Sequence, residues 1–99
     1  MYYTYIVRCS DNSLYTGITT DLEKRMKKHR DGTGAKYTAS HPITELCAAW
    51  QSEDRAVASR LEYYIKTLSK TDKEALIRKE KTVEELLSFE EGIYIRISI

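Results

Sequence analysis

Two short stretches near the start of the chain, Tyr2 to Arg8 and Ser13 to Thr19, are rich in aromatic and β-branched residues. Between them lies Ser10-Asp11-Asn12, whose side chains bond readily to their own backbone in turns, so the pattern predicts a β-hairpin. Thr20-Asp21-Leu22-Glu23 then reads as a capping box, the Thr20 hydroxyl accepting from the Glu23 amide, and predicts a helix running to Asp31. Gly32 supplies the left-handed residue that ends such a helix, Gly34 keeps the next segment flexible, and the loop continues to Pro42. Ile43 to Gln51 carries Ile43, Leu46, Ala48, Ala49 and Trp50 without a helix breaker and is read as a third strand.

Ser52 is placed as the cap of a long helix in which Val57, Leu61, Tyr64, Ile65 and Leu68 recur at three- and four-residue spacing and turn toward a core. Thr71-Asp72-Lys73-Glu74 and Thr82-Val83-Glu84-Glu85 repeat the capping-box pattern, predicting short helices near 72–80 and 83–90, the second broken by Gly92. The tail alternates Ile93, Ile95, Ile97 and Ile99 with Tyr94, Arg96 and Ser98, the period of a strand with one apolar face. It serves as an edge strand or as an interface, the second option giving a weak homodimer. Together these elements predict an α/β (α+β) fold, a small central antiparallel three-stranded sheet flanked by helices with room for an extra C-terminal strand. Residues 1–80 form the main unit and 81–99 an extension packed on the same single domain, as expected for 99 residues.

Composition adds exclusions. No apolar run reaches the roughly 18 residues of a membrane span, and Met1-Tyr2-Tyr3-Thr4 lacks the features of a signal peptide, so the expected location is the cytoplasm. Cys9 and Cys47 fit no zinc spacing and no disulfide framework; both are expected to be small buried residues. A net charge of +1 hides an uneven distribution: Lys24 to His41 holds six Lys or Arg against one acidic residue, whereas Asp72 to Glu91 holds four against seven. A basic cluster of this kind is common on solvated helix faces and also suits a nucleic-acid phosphate backbone.

Chemistry concentrates in the hairpin and the helix after it. Tyr is used eight times, four of them in the first 15 positions, and Arg25 and His29 stand one turn apart on the same face of the predicted helix. Taken singly, these residues need no function. Aromatics pack strands, Arg25 is one of several helix cations, His29 suits a helix C-terminus, and Glu62 can pair with Lys66 at i,i+4.

In order and spacing, however, the chain resembles the GIY-YIG nucleases, most of all their small stand-alone bacterial members, the YhbQ/YazA-like group. Tyr3-Thr4-Tyr5 stands at the GIY position, without its glycine, and Tyr15-Thr16-Gly17 at the YIG position. The segment Leu22-Glu23-Lys24-Arg25 with His29 is similar to the family's catalytic helix, and Leu61-Glu62-Tyr63-Tyr64-Ile65-Lys66 to its metal-binding helix, a likeness covering residues 2 to 80. Ile18 stands where many members carry lysine, and Thr67 to Leu87 contains no Asn. Gly92-Ile93-Tyr94 reads literally as GIY but has no YIG after it, and is taken as the start of the last strand.

The resemblance implies hydrolysis of phosphodiester bonds in nucleic acid, DNA ahead of RNA, with one Mg²⁺ or Mn²⁺ bound at Glu62. Tyr15 would be the general base with His29 as its proton acceptor, Arg25 would stabilise the phosphorus centre, and Tyr5 would bond the phosphate or position Tyr15. Lys28, Lys36 and Tyr37 are the expected nucleic-acid contacts, and His41, before Pro42, is read as a turn residue only. Both tyrosines must then face one side of the hairpin, which predicts a three-residue loop or a bulge pairing Cys9 with Tyr15. The alternative is a nucleic-acid-binding or protein-interaction module that keeps the fold without turnover.

Overall fold

The computed structural model describes residues 1–87 and 93–99. Its strands are β1 (Tyr2–Cys9), β2 (Leu14–Thr19), β3 (Ile43–Ser52) and β4 (Ile95–Arg96), joined antiparallel in the order β2-β1-β3-β4. Helices α1 (Leu22–Arg30), α2 (Lys36–Ser40), α3 (Arg55–Thr67), α4 (Lys70–Ile77) and α5 (Val83–Leu87) complete an α+β fold among the described residues. The expected three-stranded sheet is present, with the C-terminal strand as a fourth member. The end of the predicted 83–90 helix and its Gly92 breaker lie outside the described residues.

Because β1 runs between β2 and β3 with both faces covered, Thr4 to Val7 are all buried, a continuous run rather than an alternation. One face carries Ile6, Ala48 and Trp50, which pack against Val57, Leu61 and Ile65 of α3, Leu76 of α4 and Val83 of α5. The other carries Tyr5, Val7 and Ala49, which pack with Met26 and Leu22 of α1. Tyr64, expected in the core stripe of α3, is 38% exposed, since the buried set Val57, Ala58, Leu61 and Ile65 turns it off the face. Arg8 ties α4 to the sheet through two parallel bonds from its guanidinium to the Glu74 carboxylate, at 2.8 and 2.7 Å.

Helix starts fall one to two residues from the expected positions, and the reason is the same each time: a better-placed acceptor. Asp21, not Thr20, caps α1 by accepting from the Lys24 amide. Asp54, not Ser52, caps α3 by accepting from the Ala56 amide, while the Ser52 hydroxyl donates to the Asp54 carbonyl just ahead of it. Ser69 caps α4 by accepting from the Asp72 amide, so that helix begins before Thr71 and ends before the expected residue 80. The Thr82–Glu85 box forms as predicted: the Thr82 amide donates to Glu85, and the Glu85 amide to the Thr82 hydroxyl. Gly32, at φ 78°, also ends α1 as predicted, its amide donating to the His29 carbonyl and the next amide to that of Lys28.

The segment expected to be loop up to Pro42 contains α2, a single short helix that no periodic apolar pattern announces. Cys9 is buried, but Cys47 is only half-buried, because the β1–β3 register skips it and makes it the extra residue of a bulge. The hairpin loop has three residues, Ser10 to Asn12: the Cys9 amide donates to the Ser13 carbonyl, and Asn12 takes φ 69°. Cys9 therefore stands across from Ser13 rather than Tyr15, whose partner is Val7. Strand pairing in the tail is confined to Ile95 and Arg96, plus one bond from the Ile97 amide to the Ala49 carbonyl. Arg96 anchors it by lying over Trp50 and donating to the Leu76 and Ile77 carbonyls at the end of α4.

Thr16 faces the α3 side of the sheet opposite Ile6, and its hydroxyl is buried with no hydrogen-bond partner among the described residues. An orphaned hydroxyl of this kind costs about 1 to 3 kcal/mol. Thr16→Val, which keeps the shape, is expected to stabilise the fold by about 1 kcal/mol and raise the thermal midpoint by roughly 4 to 8 °C in a melting experiment; an unchanged or lower midpoint would contradict this account.

Candidate active site

The hairpin register places Tyr5 directly opposite Gly17 and Tyr15 opposite Val7, so both phenols emerge on the α1 face of the sheet. Tyr5 is fully buried, and its ring lies across Gly17. A Cβ at position 17 would stand 2.6 Å from the Tyr5 hydroxyl oxygen and 2.8 Å from its Cζ, so the glycine of the second motif is the space that the first motif's tyrosine occupies. Helix α1 brings Arg25 and His29 to the same place. Arg25 Nε donates to the Tyr5 hydroxyl at 3.3 Å, and that hydroxyl bonds His29 Nε2 at 2.6 Å. The His29 ring meets the edges of Tyr5 and Tyr15 with both centroid separations at 5.6 Å.

The electrostatics follow from burial beside one cation. Burial raises the Tyr5 phenol above its ordinary value, while the hydrogen bond and charge of Arg25 pull the other way. Arg25 is held more firmly protonated by its bond to Tyr5, with Tyr15 adding to the effect and burial opposing it. Burial, with the Arg25 charge second, lowers His29 to about 4, so the imidazole is neutral at neutral pH. Glu62 is near enough for its charge to act on the Tyr5 phenol; its carboxylate is 24% exposed and pairs with Lys66 at 3.4 Å.

This geometry sets the contacts of two expected site residues, and of the two options for Tyr5 it leaves that of positioning Tyr15. His29 bonds Tyr5 rather than Tyr15, because Nε2 points into the buried centre of the face where the Tyr5 hydroxyl sits. Tyr5 has no exposed surface with which to meet a phosphate, and its hydroxyl is engaged by His29 and Arg25. Tyr15, half-buried, is the phenol that borders solvent.

A shallow cleft of about 180 Å³ lined by Thr19, Thr20, Asp21, Lys24, Arg25 and Lys28 opens beside these groups. A further cavity of about 520 Å³, where Met1, Val57, Ile93 and Ile95 meet Glu53 and Asp54, includes none of Tyr5, Tyr15, Arg25 or His29 in its lining. Lys36 is exposed on α2. Tyr37 stacks on Tyr15 at 5.8 Å and on His41 at 4.2 Å, and its hydroxyl donates to Ser13. His41 is thus more than a turn residue, since it also approaches Asp11 at 3.7 Å. Sequence reasoning passed over Thr38 and read Gly34 as a source of flexibility. Thr38 Oγ1 lies 2.7 Å from His29 Nδ1, and a Cβ at position 34 would stand 2.8 Å from both the His29 amide nitrogen and Nδ1. Gly34 serves close approach, which nothing in its local sequence signals.

Among the described residues no three His, Cys, Asp or Glu side chains gather as a metal cage. A single partly exposed carboxylate, Glu62, whose charge reaches the Tyr5 phenol, still fits a hydrated Mg²⁺, which keeps several waters and needs only one or two protein carboxylates beside substrate phosphates.

A buried tyrosine seated on the glycine of the next strand, beside an Arg-bearing helix, matches the GIY-YIG catalytic domain, whose family model covers residues 1–83. The chain belongs to the GIY-YIG family, a nuclease fold. Within it, the chain is similar to the UPF0213 proteins. It is 45% identical over 87 residues to UPF0213 protein YhbQ of Salmonella typhimurium, spanning 88% of this chain and 87% of that one. UPF0213 protein RBAM_000440 of Bacillus velezensis is 38% identical over 95 residues, or 96% and 90% of the two chains. The solution NMR structure of UPF0213 protein BH0048 from Bacillus halodurans superposes with a TM-score of 0.52 at 40% identity, covering 94% of this chain and all of that one. The family in general binds nucleic acid and works with a divalent metal, while the UPF0213 names assign no activity. No helix of the described residues is long and apolar enough to cross a membrane.

Two outcomes follow from the packing. Gly17→Ala forces the Tyr5 ring off its seat; the expected result is a loss of roughly 1 to 3 kcal/mol in urea denaturation, together with loss of the Tyr5 bonds to Arg25 and His29. For His29, the folded value of about 4 lies below the ordinary 6.5, so the unfolded chain takes up the proton first as pH falls. Stability is then lost between pH 6.5 and 4, on the order of 2 to 3 kcal/mol from this group. Urea midpoints across that range should show the slope in wild type and a smaller one in His29→Gln; equal slopes would remove His29 as the cause.

Proposed function

We propose that the protein is a nuclease that hydrolyses phosphodiester bonds in DNA, and less readily RNA, with one Mg²⁺ or Mn²⁺ held at Glu62. The observation that carries the reading is Arg25: its guanidinium is fixed by a buried phenol, kept charged, and opens into a cleft flanked by Lys24 and Lys28. A planar fork of donors held this way is pre-organised for a phosphoryl group and for the charge that grows on it during in-line attack. Tyr15, the phenol bordering solvent on the same face, takes the role of general base toward the attacking water. The water oxygen forms the new bond to phosphorus and gives its proton to the Tyr15 oxygen, reacting as phenolate beside the Arg25 charge, while the bond to the leaving oxygen breaks and that oxygen takes a proton from solvent. The divalent ion, when bound, offsets charge on the leaving oxygen. Tyr5 and His29 hold the arrangement from below. Lys28, Lys36 and Tyr37 complete the nucleic-acid surface, Lys28 in the cleft, Lys36 exposed on α2 and Tyr37 stacked on Tyr15.

A weak homodimer through the C-terminal strand belongs to the same proposal, because Ile93, Ile95 and Ile99 stand exposed around β4; sedimentation over a concentration series tests it. For the nuclease itself the test is cleavage of labelled single-stranded, duplex and branched DNA and of RNA, with Mg²⁺, with Mn²⁺ and with EDTA. Products are expected only with metal, and a loss of at least about 100-fold in rate is expected for Tyr15→Phe and Glu62→Ala while nucleic-acid binding persists. Binding without metal-dependent products in the wild type would instead support a non-catalytic module.

A further inference from the structure

We propose that Thr38, on the short helix α2, is a positioning residue that fixes the tautomer of His29 and thereby the direction of every hydrogen bond leading to Arg25. The proposal rests on the nuclease reading for its catalytic consequence but on hydrogen-bond geometry alone for its structural content.

The chain of contacts is continuous, and buried from Tyr5 through His29 to Thr38. Arg25 Nε meets the Tyr5 hydroxyl at 3.3 Å, that hydroxyl meets His29 Nε2 at 2.6 Å, and His29 Nδ1 meets Thr38 Oγ1 at 2.7 Å. Thr38 Oγ1 lies in turn 3.2 Å from the Ala35 carbonyl. A carbonyl can only accept, so the one hydroxyl proton of Thr38 is committed to Ala35 and its oxygen faces Nδ1 with a lone pair. Nδ1 must then carry the imidazole proton, leaving Nε2 bare as an acceptor for the Tyr5 hydroxyl. Tyr5, with its proton spent on Nε2, presents a lone pair to the Arg25 Nε–H. Every proton in the series finds an acceptor.

The opposite direction fails at Tyr5. If Thr38 donated to Nδ1, Nε2–H would point at Tyr5, whose oxygen would receive from both His29 and Arg25. The Tyr5 hydroxyl proton would then have no acceptor among the described residues, in a side chain with no exposed surface where water could serve instead. The Ala35 carbonyl keeps the Ala39 amide in either direction and does not decide between them. Burial adds that His29 is neutral, so one ring nitrogen is bare at neutral pH, as the series requires.

The placement of Thr38 is built rather than incidental. Gly34 lets the loop lie against His29 where any side chain would collide with the His29 amide nitrogen and ring. The residue before Thr38, Tyr37, stacks on the Tyr15 ring. Consecutive residues of α2 therefore grip both tyrosines of the site, one directly and one through His29, although α2 contributes no group to the phosphate chemistry.

The test reads the tautomer directly. In ¹⁵N-labelled wild-type protein at neutral pH, the imidazole nitrogen resonances of His29 are expected to show a protonated Nδ1 and a bare Nε2. Thr38→Val, which keeps the shape and removes the acceptor, is expected to abolish that preference and to lower kcat about 10- to 100-fold with KM for nucleic acid nearly unchanged; Thr38→Ser restores both. A wild-type His29 protonated on Nε2 overturns the proposal whatever the variants do, and so decides the matter should Thr38→Val fail to fold. A variant in which only one of the two readouts changes, or neither, also overturns it. If the wild type cuts no nucleic acid, the nuclease reading fails on its own, and the resonances of wild type, Thr38→Val and Thr38→Ser still decide whether Thr38 sets the tautomer.

Discussion

A phenol hydroxyl with no access to water must find its partners inside the protein, and the Tyr5 hydroxyl meets that constraint by joining two elements of the fold. It stands on the central strand, fills the space left by Gly17 on the neighbouring strand, and receives Arg25 and His29 from α1. Were the Gly17 space filled, the ring would have no seat. Were α1 rotated, the buried hydroxyl would lose partners whose replacement by solvent is impossible at that depth. The hairpin and α1 are thus fixed relative to each other by a polar requirement laid over the apolar packing of Val7, Ala49, Met26 and Leu22.

The two faces of the sheet divide the work accordingly. On the α3 face, Ile6, Trp50, Leu61, Ile65 and Leu76 form an apolar core in which polarity is tolerated rather than used; the orphaned Thr16 hydroxyl lies on this side. On the α1 face a series of polar groups is satisfied from Arg25 to the Ala35 carbonyl. Buried polar groups strengthen one another when all are paired and become costly when one is not, so a series of this length holds its members in one geometry. A donor already oriented in this way loses less freedom on meeting a ligand.

Charge is arranged around the same point. The net charge is close to neutral, yet the exposed side of α1 gathers Lys24 and Lys28 around the cleft that Arg25 enters, while the acidic residues of α4 and α5 follow later in the chain. A local field of one sign does not require a basic protein.

How much of this was legible in the chain itself depends on whether the information is local. The strands, α1, α3 and the left-handed Gly32 follow from residue type, period and turn chemistry, which act over a few neighbours. The order of Tyr5, Tyr15, Arg25, His29 and Glu62 was also sufficient to point to the family, since each sits on a regular element whose spacing survives in one dimension. What the tertiary structure decided is contact across elements. Which nitrogen of His29 meets which tyrosine, why position 17 must lack a side chain, why Gly34 serves close approach rather than flexibility, and that Thr38 reaches His29 from a five-residue helix all depend on segments brought together by the sheet register and the turn after α1. A hydrogen bond is set by distances of a few tenths of an ångström between atoms from separate elements. Local sequence has no term for that distance, and only the packed fold supplies it.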